Sequence, residues 1–204
     1  RVERTGKHRF IFYQGQSNQP LELVFAFSRA PLRVDLPDYP TVREASILHW
    51  QDYWSNGGFV DLSESTDSRA YEFQRRIILS QYLTAIQCSG HMLPQETGLT
   101  CNSWYGKAHL EMHFWHAAHF ALWGQLHMLE KSLWWYFLVS DSAREKAQSQ
   151  GYKGMRWPKM VGPKGDESPS PINPLLIWQQ PHPIVYAELC YRERPTLHVL
   201  EAFK

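Results

Sequence analysis

The stretch from residue 98 to residue 123 reads GLTCNSWYGKAHLEMHFWHAAHFALW. A polar, aromatic-rich loop in its first half runs directly into a predicted helix over residues 108–123, which Gly124 ends. At the start of a helix, free backbone N–H groups and nearby side chains can converge on a ligand. This stretch therefore indicates a helical fold and, at the same junction, a candidate binding site.

Helical patterns recur on both sides of this stretch. Thr41 is a candidate N-cap, with Glu44 three residues later, for a helix that ends near Trp54. Further helices are predicted over residues 69–89, 125–149, 183–192 and from the N-cap Thr196 onward. Residues 152–174 are rich in Gly, Pro, Lys and Ser and form a long loop, a kind of segment that is more often functional than idle. The predicted fold class is mainly α.

The chain before this helical part has the pattern of a β-hairpin. Residues 8–13 and 21–27 read as two strands, and residues 15–20 between them are turn-forming. Because an isolated hairpin is at best marginally stable, we expect it to be the edge of a β-sandwich-type domain. The predicted division is a hairpin and linker over residues 1–38 and a helical part over residues 39–204, with the chain belonging to a longer protein.

The charge balance argues against two classes of partner. Lys and Arg number 21, Asp and Glu number 20, and the formal net charge is +1, which gives no electrostatic reason to expect nucleic acid or an anionic membrane as partner. The longest apolar runs are far shorter than the roughly 20 residues that cross a bilayer. Three cysteines without a CxxC pair indicate neither a disulfide framework nor a cysteine zinc site. A neutral partner and a soluble protein are expected; the oligomeric state stays open, and a secreted or periplasmic, bacterial-type location is one option for the compartment.

Aromatic residues are abundant, with 9 Trp, 10 Tyr and 10 Phe. In the loop and helix of residues 98–123, flat aromatic side chains are mixed with groups that bond to hydroxyls: Asn102, Trp104, Tyr105, Lys107, His109, Glu111 and Trp115. Sugar rings stack their C–H faces on such aromatic plates and direct their hydroxyls to such polar groups. The mixture favours sugar recognition, and the alternative is that the histidines and Trp115 pack in a core.

A metal site is a further alternative for the histidines. His109 and His113 have the i, i+4 spacing that lets two imidazoles share a zinc ion. The order His-x-Glu-x-His differs from the zincin pattern His-Glu-x-x-His, and Glu111 points about 160° away from His113 on a helical wheel. We therefore expect no metal and no cofactor, with a His-ligated metal hydrolase kept as an alternative.

Several segments resemble a known family. Residues 106–120 resemble the Gly-x-x-Phe-Trp-Asp-x-Glu-x-Phe segment of glycoside hydrolase family 65 and its (α/α)6-toroid relatives. Residues 156–158 and 167–169, followed by 179–186, are similar to the later Tyr-Pro-Trp, Gly-x-Glu and His-Ile stretches of that group. The segments occur in the same order, cover nearly the whole chain and follow a hairpin and linker, as in the family.

The resemblance implies the first part of an (α/α)6 toroid and a glycoside hydrolase that cleaves oligosaccharides by inversion. Phe114 and Trp115 match the family's Phe-Trp, which contacts the sugar in the innermost subsite, whereas His116 stands where the family usually has Asp. The family's general acid comes from a later loop, so we expect it outside this chain, with Glu111 as the fallback catalytic carboxylate. A glycoside phosphorylase and a non-catalytic carbohydrate-binding protein are the alternatives.

The expected binding set combines the loop and helix of residues 98–123 with the long loop and the start of the helix after it. Long loops carry function disproportionately, which brings their aromatic and acidic residues into the set. The expected substrate-binding residues are Trp104, Tyr105, Lys107, His109, His113, Trp115, His116, Trp157, Glu167, Gln179, Gln180 and His182.

Overall fold

The computed structural model describes residues 1–15, 18 and 20–203, and these residues are mainly helical. They form two compact units, residues 1–53 and residues 54–204. The boundary between the units lies later than the division after residue 38 that the sequence indicates, so most of the first helix belongs to the first unit.

A β-hairpin opens the first unit, but its position differs from the predicted one. Strands β1 (Val2–Gly6) and β2 (Arg9–Phe12) pair antiparallel, with Val2 opposite Phe12. The two-residue connection costs less closure entropy than the longer turn predicted over 15–20, and such short connections are the commonest in hairpins. Positions 16, 17 and 19 of that turn lie outside the described residues.

The second predicted strand, over residues 21–27, has no regular secondary structure. Phe25 of this segment packs edge-on against Phe12, with ring centroids 5.3 Å apart. The strand prediction for this segment was wrong because alternating apolar residues can also serve single side-chain contacts, which sequence periodicity does not distinguish from pairing.

Helix α1 (Tyr39–Asn56) confirms the first predicted helix, with an earlier start. The backbone N–H of Thr41 donates to Oδ1 of Asp38 at 3.0 Å, so Asp38, and not Thr41, supplies the cap. Pro40 lies in the first turn, where its missing N–H has no helical partner to lose. The last three residues of α1 fall in the second unit.

The second unit contains the remaining elements. In chain order they are α2 (Ala70–Cys88), β3 (Ala108–His109), α3 (Leu110–Leu122), α4 (Leu126–Leu138), α5 (Ser140–Ser149), β4 (Met160–Val161), α6 (His182–Glu193) and α7 (Leu197–Ala202). The predicted N-cap of α7 is confirmed, since Oγ1 of Thr196 accepts from the N–H of Val199 at 3.3 Å.

The single helix predicted over residues 125–149 is two helices, α4 and α5. They meet at Val139, whose φ and ψ of −107° and 14° leave the helical region. Val139 is buried, and Gly165 lies so close that a Cβ there would stand 2.9 Å from the Val139 Cβ. At the break, Val139 packs against Gly165 of the long loop. This tertiary contact has no local signal in the sequence of the helix.

The core of the second unit lies between α3, α4 and α6. Phe120, Leu129, Trp135 and Tyr186 from these helices are almost fully buried. Strands β3 and β4 pair antiparallel and fasten the long loop to the start of α3, where the candidate site lies. None of the described helices combines the length and the apolarity that a bilayer crossing requires.

Candidate functional site

The turn that leads into α3 has an unusual backbone. Trp104 and Tyr105 have φ angles of 47° and 60°, and Gly106 follows at 69°. Such angles are uncommon and costly for residues other than glycine, and they persist where surrounding contacts enforce them, often at functional sites. The turn leaves the Trp104 side chain partly open to solvent, at 43% exposure, and Tyr105 almost fully exposed.

Glu111 lies in the first turn of α3, where the helix dipole favours a negative charge. Its Oε2 meets Nε2 of His109 at 3.2 Å and Nζ of Lys159 at 3.2 Å. Oε1 makes no hydrogen bond among the residues that the structure describes. With a side chain that is 16% exposed, Glu111 is held through one oxygen and keeps the other as an acceptor.

Lys159 is a site residue that the sequence interpretation missed. It is only 5% exposed, and its Nζ lies 4.3 Å from the centroid of the Trp104 ring, in addition to the ion pair with Glu111. The signal for it was present: this lysine stands within the apolar run 157–161, and a buried lysine needs a partner for its charge.

Trp115 follows Glu111 by one helical turn, so the two side chains share a face of α3. The indole is 60% exposed and contacts the edge of Phe114, with ring centroids 5.4 Å apart and planes at 88°. Trp115 is therefore open to solvent beside the fixed carboxylate.

His113 lies on the opposite face, enclosed in the core. Its Nε2 is 2.9 Å from Oγ of Ser132, and its Nδ1 is 3.0 Å from the hydroxyl of Tyr136. Because Ser132 donates its own proton to the carbonyl of Leu129 at 2.8 Å, Nε2 of His113 donates to Ser132 and Nδ1 accepts from Tyr136. Burial lowers the pKa of His113 to about 3, so the ring is neutral.

His109 and His116 are buried as well, and burial lowers the pKa of both. Nε2 of His116 lies 2.8 Å from the carbonyl oxygen of Glu96, which can only accept, so that nitrogen carries the proton. His109 reaches Glu111 and is closed off from solvent. These histidines therefore support the site from within.

The metal alternative finds no ligand set. Both nitrogens of His113 are committed to hydroxyl partners. Within residues 1–15, 18 and 20–203, no group of three or more His, Cys, Asp or Glu side chains is placed to hold a metal ion. His109 lies in β3, before α3 begins, so the two histidines do not share one face of a helix.

The predicted residues of the later segments act mainly on the backbone of the long loop. Oε1 of Gln180 accepts from the N–H of Trp157 at 2.8 Å, and the Nε2 atoms of Gln179 and Gln180 donate to the Trp157 carbonyl at 3.0 Å and 2.6 Å. The Trp157 ring is buried and meets Tyr136 edge-on at 5.1 Å. The structure thus places these three side chains in the scaffold that presents Lys159.

The remaining predicted residues have different positions. Glu167 pairs with Lys146 of α5. His182 tilts against Phe114, and its Nδ1 lies 3.4 Å from the carbonyl oxygen of Leu110, beside the first turn of α3. Lys107 is half-buried between the Trp104 turn and β3.

An open cleft borders the Trp104 turn. Its volume is about 860 Å³, and its lining includes Gln87, Leu99, Asn102 and Gly106. A cleft of this size lies within the range of small-molecule sites in proteins.

The structure therefore brings Trp104, His109 and Glu111 together with Lys159, and Trp115 lies one helical turn after Glu111. No protein-family model matches the chain, and comparisons with curated proteins and with solved structures find no significant similarity.

Proposed function

We propose that the second unit binds a sugar on the face formed by Trp104, Glu111 and Trp115, and that it does so as part of a glycoside hydrolase acting on oligosaccharides. The observation that carries the proposal is an indole 60% exposed, one helical turn from a carboxylate whose Oε2 is fixed by two partners. The C–H face of a sugar stacks on an indole, and a neighbouring hydroxyl donates to the open oxygen of Glu111.

The surroundings of Glu111 suit an acceptor better than a proton donor. Oε2 of Glu111 lies 3.2 Å from Nζ of Lys159, a group that can only donate, so this carboxyl acts there as an acceptor. An inverting glycosidase needs a second carboxyl that arrives protonated and stands roughly 6.5–9.5 Å from the base. We therefore assign sugar binding, or activation of a water as general base, to Glu111, and the acid to another carboxyl.

The proposal includes the fold that the family resemblance implies. Helices α3 and α4 pack on each other, as do α6 and α7, and α6 also packs on both α3 and α4. The packing of helices that are adjacent in the chain supports the first part of an (α/α)6 toroid, in which the family's sugar site lies where loops meet helix starts. Glu111 and the Trp104 turn occupy such a position.

Sugar titrations with the wild-type chain and two tryptophan variants test the binding. Trp115→Ala should weaken affinity for an oligosaccharide by about 1–3 kcal/mol, as loss of a stacking plate does. Trp134→Ala is the matched control, because Trp134 is also exposed but lies on α4. Equal affinities of wild type and Trp115→Ala would overturn the proposed site.

Product analysis tests the reaction. Hydrolysis with inversion at the anomeric carbon supports the glycoside hydrolase. Phosphate-dependent release of a sugar phosphate would replace it by a phosphorylase, and binding without turnover would leave only a carbohydrate-binding protein.

A further inference from the structure

Lys159 joins three parts of the site. Its Nζ contacts Oε2 of Glu111 on α3 and the ring of Trp104 in the turn before β3. Its backbone carbonyl accepts from the N–H of Leu110 at 2.9 Å, at the start of α3. One residue of the long loop thus contacts the aromatic plate, the carboxylate and the helix start.

The burial of Lys159 makes these contacts mandatory. An ammonium group that is 5% exposed has lost most of its hydration, and the loss is offset only by close opposite charge and by ring electrons. The two partners are therefore held to Nζ, and each is held relative to the other.

The contact with Nζ of Lys159 also restrains the backbone of the turn that contains Trp104. Trp104 and Tyr105 both have positive φ angles, a conformation that is unfavourable for side chains with a Cβ. The contact between Nζ and the Trp104 ring favours this turn over relaxed alternatives that would swing the indole away.

We infer that Lys159 is a positioning residue that locks the Trp104 ring and Oε2 of Glu111 into one rigid unit, and so sets the geometry with which Oε1 and the indole meet a sugar. The inference rests on the proposed function for its consequence, sugar affinity. The locking itself is a property of the free protein and is measured separately.

Fluorine NMR of protein labelled with 5-fluorotryptophan measures the locking of Trp104 separately from sugar affinity. The chain has 9 Trp, and loss of one resonance in Trp104→Phe assigns the signal of Trp104. In Lys159→Met, we expect the Trp104 resonance to shift and broaden while the other resonances stay in place, and sugar affinity to fall at least tenfold. Lys159→Arg keeps the charge and should restore much of both.

Lys146→Met is the matched control, because Lys146 also forms a partly buried ion pair, with Glu167. It should leave the Trp104 resonance and sugar affinity unchanged. Glu111→Gln provides a second route if Lys159→Met fails to fold: it removes the charge that holds Nζ, and the Trp104 resonance should again shift.

An unchanged Trp104 resonance in folded Lys159→Met or Glu111→Gln protein would overturn the inference. A shifted resonance in a protein that binds no sugar would instead support the locking and overturn the proposed function.

Discussion

On one face of α3, His113 is enclosed and both of its ring nitrogens are bonded to hydroxyls of α4; on the other face, Glu111 and Trp115 stay within reach of solvent. A helical wheel shows both faces as polar and aromatic and does not rank them. The difference between them is in the partners. Where neighbouring helices satisfy every donor and acceptor, a polar residue stabilises the fold, and where an acceptor stays open it is available to a ligand.

The largest effect should come from the enclosed face. His113→Phe keeps a flat ring but leaves the hydroxyl of Tyr136 and Oγ of Ser132 without their histidine partner. We expect a loss of about 2–4 kcal/mol in the free energy of unfolding, measured in urea, and an unchanged sugar affinity for the folded fraction. A His113→Phe variant that keeps its stability and no longer binds sugar would show that His113, and not the Glu111 face, carries the binding.

On the open face, Glu111→Gln should reduce stability less than His113→Phe does, and should weaken sugar affinity. The substitution leaves the Lys159 ammonium without its negative partner, and we expect a loss of roughly 1–3 kcal/mol in the free energy of unfolding. Sugar affinity should fall at the same time, because an amide oxygen accepts more weakly than a carboxylate. Calorimetric titration and urea denaturation measure the two effects; intact affinity would remove Glu111 from the site.

The enclosed face also makes stability depend on pH. Burial lowers the pKa of His113 from 6.5 to about 3. Between these two pH values His113 binds a proton in the unfolded chain but not in the native state. The free energy of unfolding should be unaffected by this residue above pH 6.5. It should fall as the pH drops from 6.5 to about 3, with a slope of up to about 1.4 kcal/mol per pH unit.

Burial lowers the pKa of His109 and His116 too, and both add to the fall in stability in the same direction. Urea denaturation at several pH values should therefore give a shallower dependence for His113→Phe than for wild type, without abolishing it. Parallel curves for the two proteins would contradict the neutral, doubly bonded state of His113.

The smallest effect on stability should come from Trp115. Because its indole is 60% exposed, Trp115→Ala should change the free energy of unfolding by less than about 0.5 kcal/mol while sugar affinity falls. A large loss of stability would show that this indole packs as a structural side chain.

The sequence predicts much of the helical unit and little of the hairpin. Helices α2, α6 and α7 lie within a residue or two of their predicted bounds, because caps and apolar periodicity are local signals. The break at Val139 depends on Gly165, far along the chain. Strand β2 pairs with β1, which precedes it, and not with residues 21–27, which follow it. The alternation of apolar and polar residues does not show which neighbouring segment a strand pairs with.

The candidate site divides in the same way. Glu111 and Trp115 could be placed on one face from their spacing of four residues. The role of His113 could not be predicted from the sequence, because it depends on hydroxyl groups contributed by α4. Lys159 reaches Glu111 only through the β3–β4 ladder, a pairing of two short strands about 50 residues apart that has no periodic signal.

The most direct test of the proposed sugar site follows single tryptophans during a sugar titration. With 5-fluorotryptophan in every position, addition of an oligosaccharide should shift the resonances of Trp104 and Trp115 and leave those of the buried Trp135 and Trp157 in place. Shifts confined to other tryptophans, or no shift at saturating sugar, would contradict a sugar site on this face of α3.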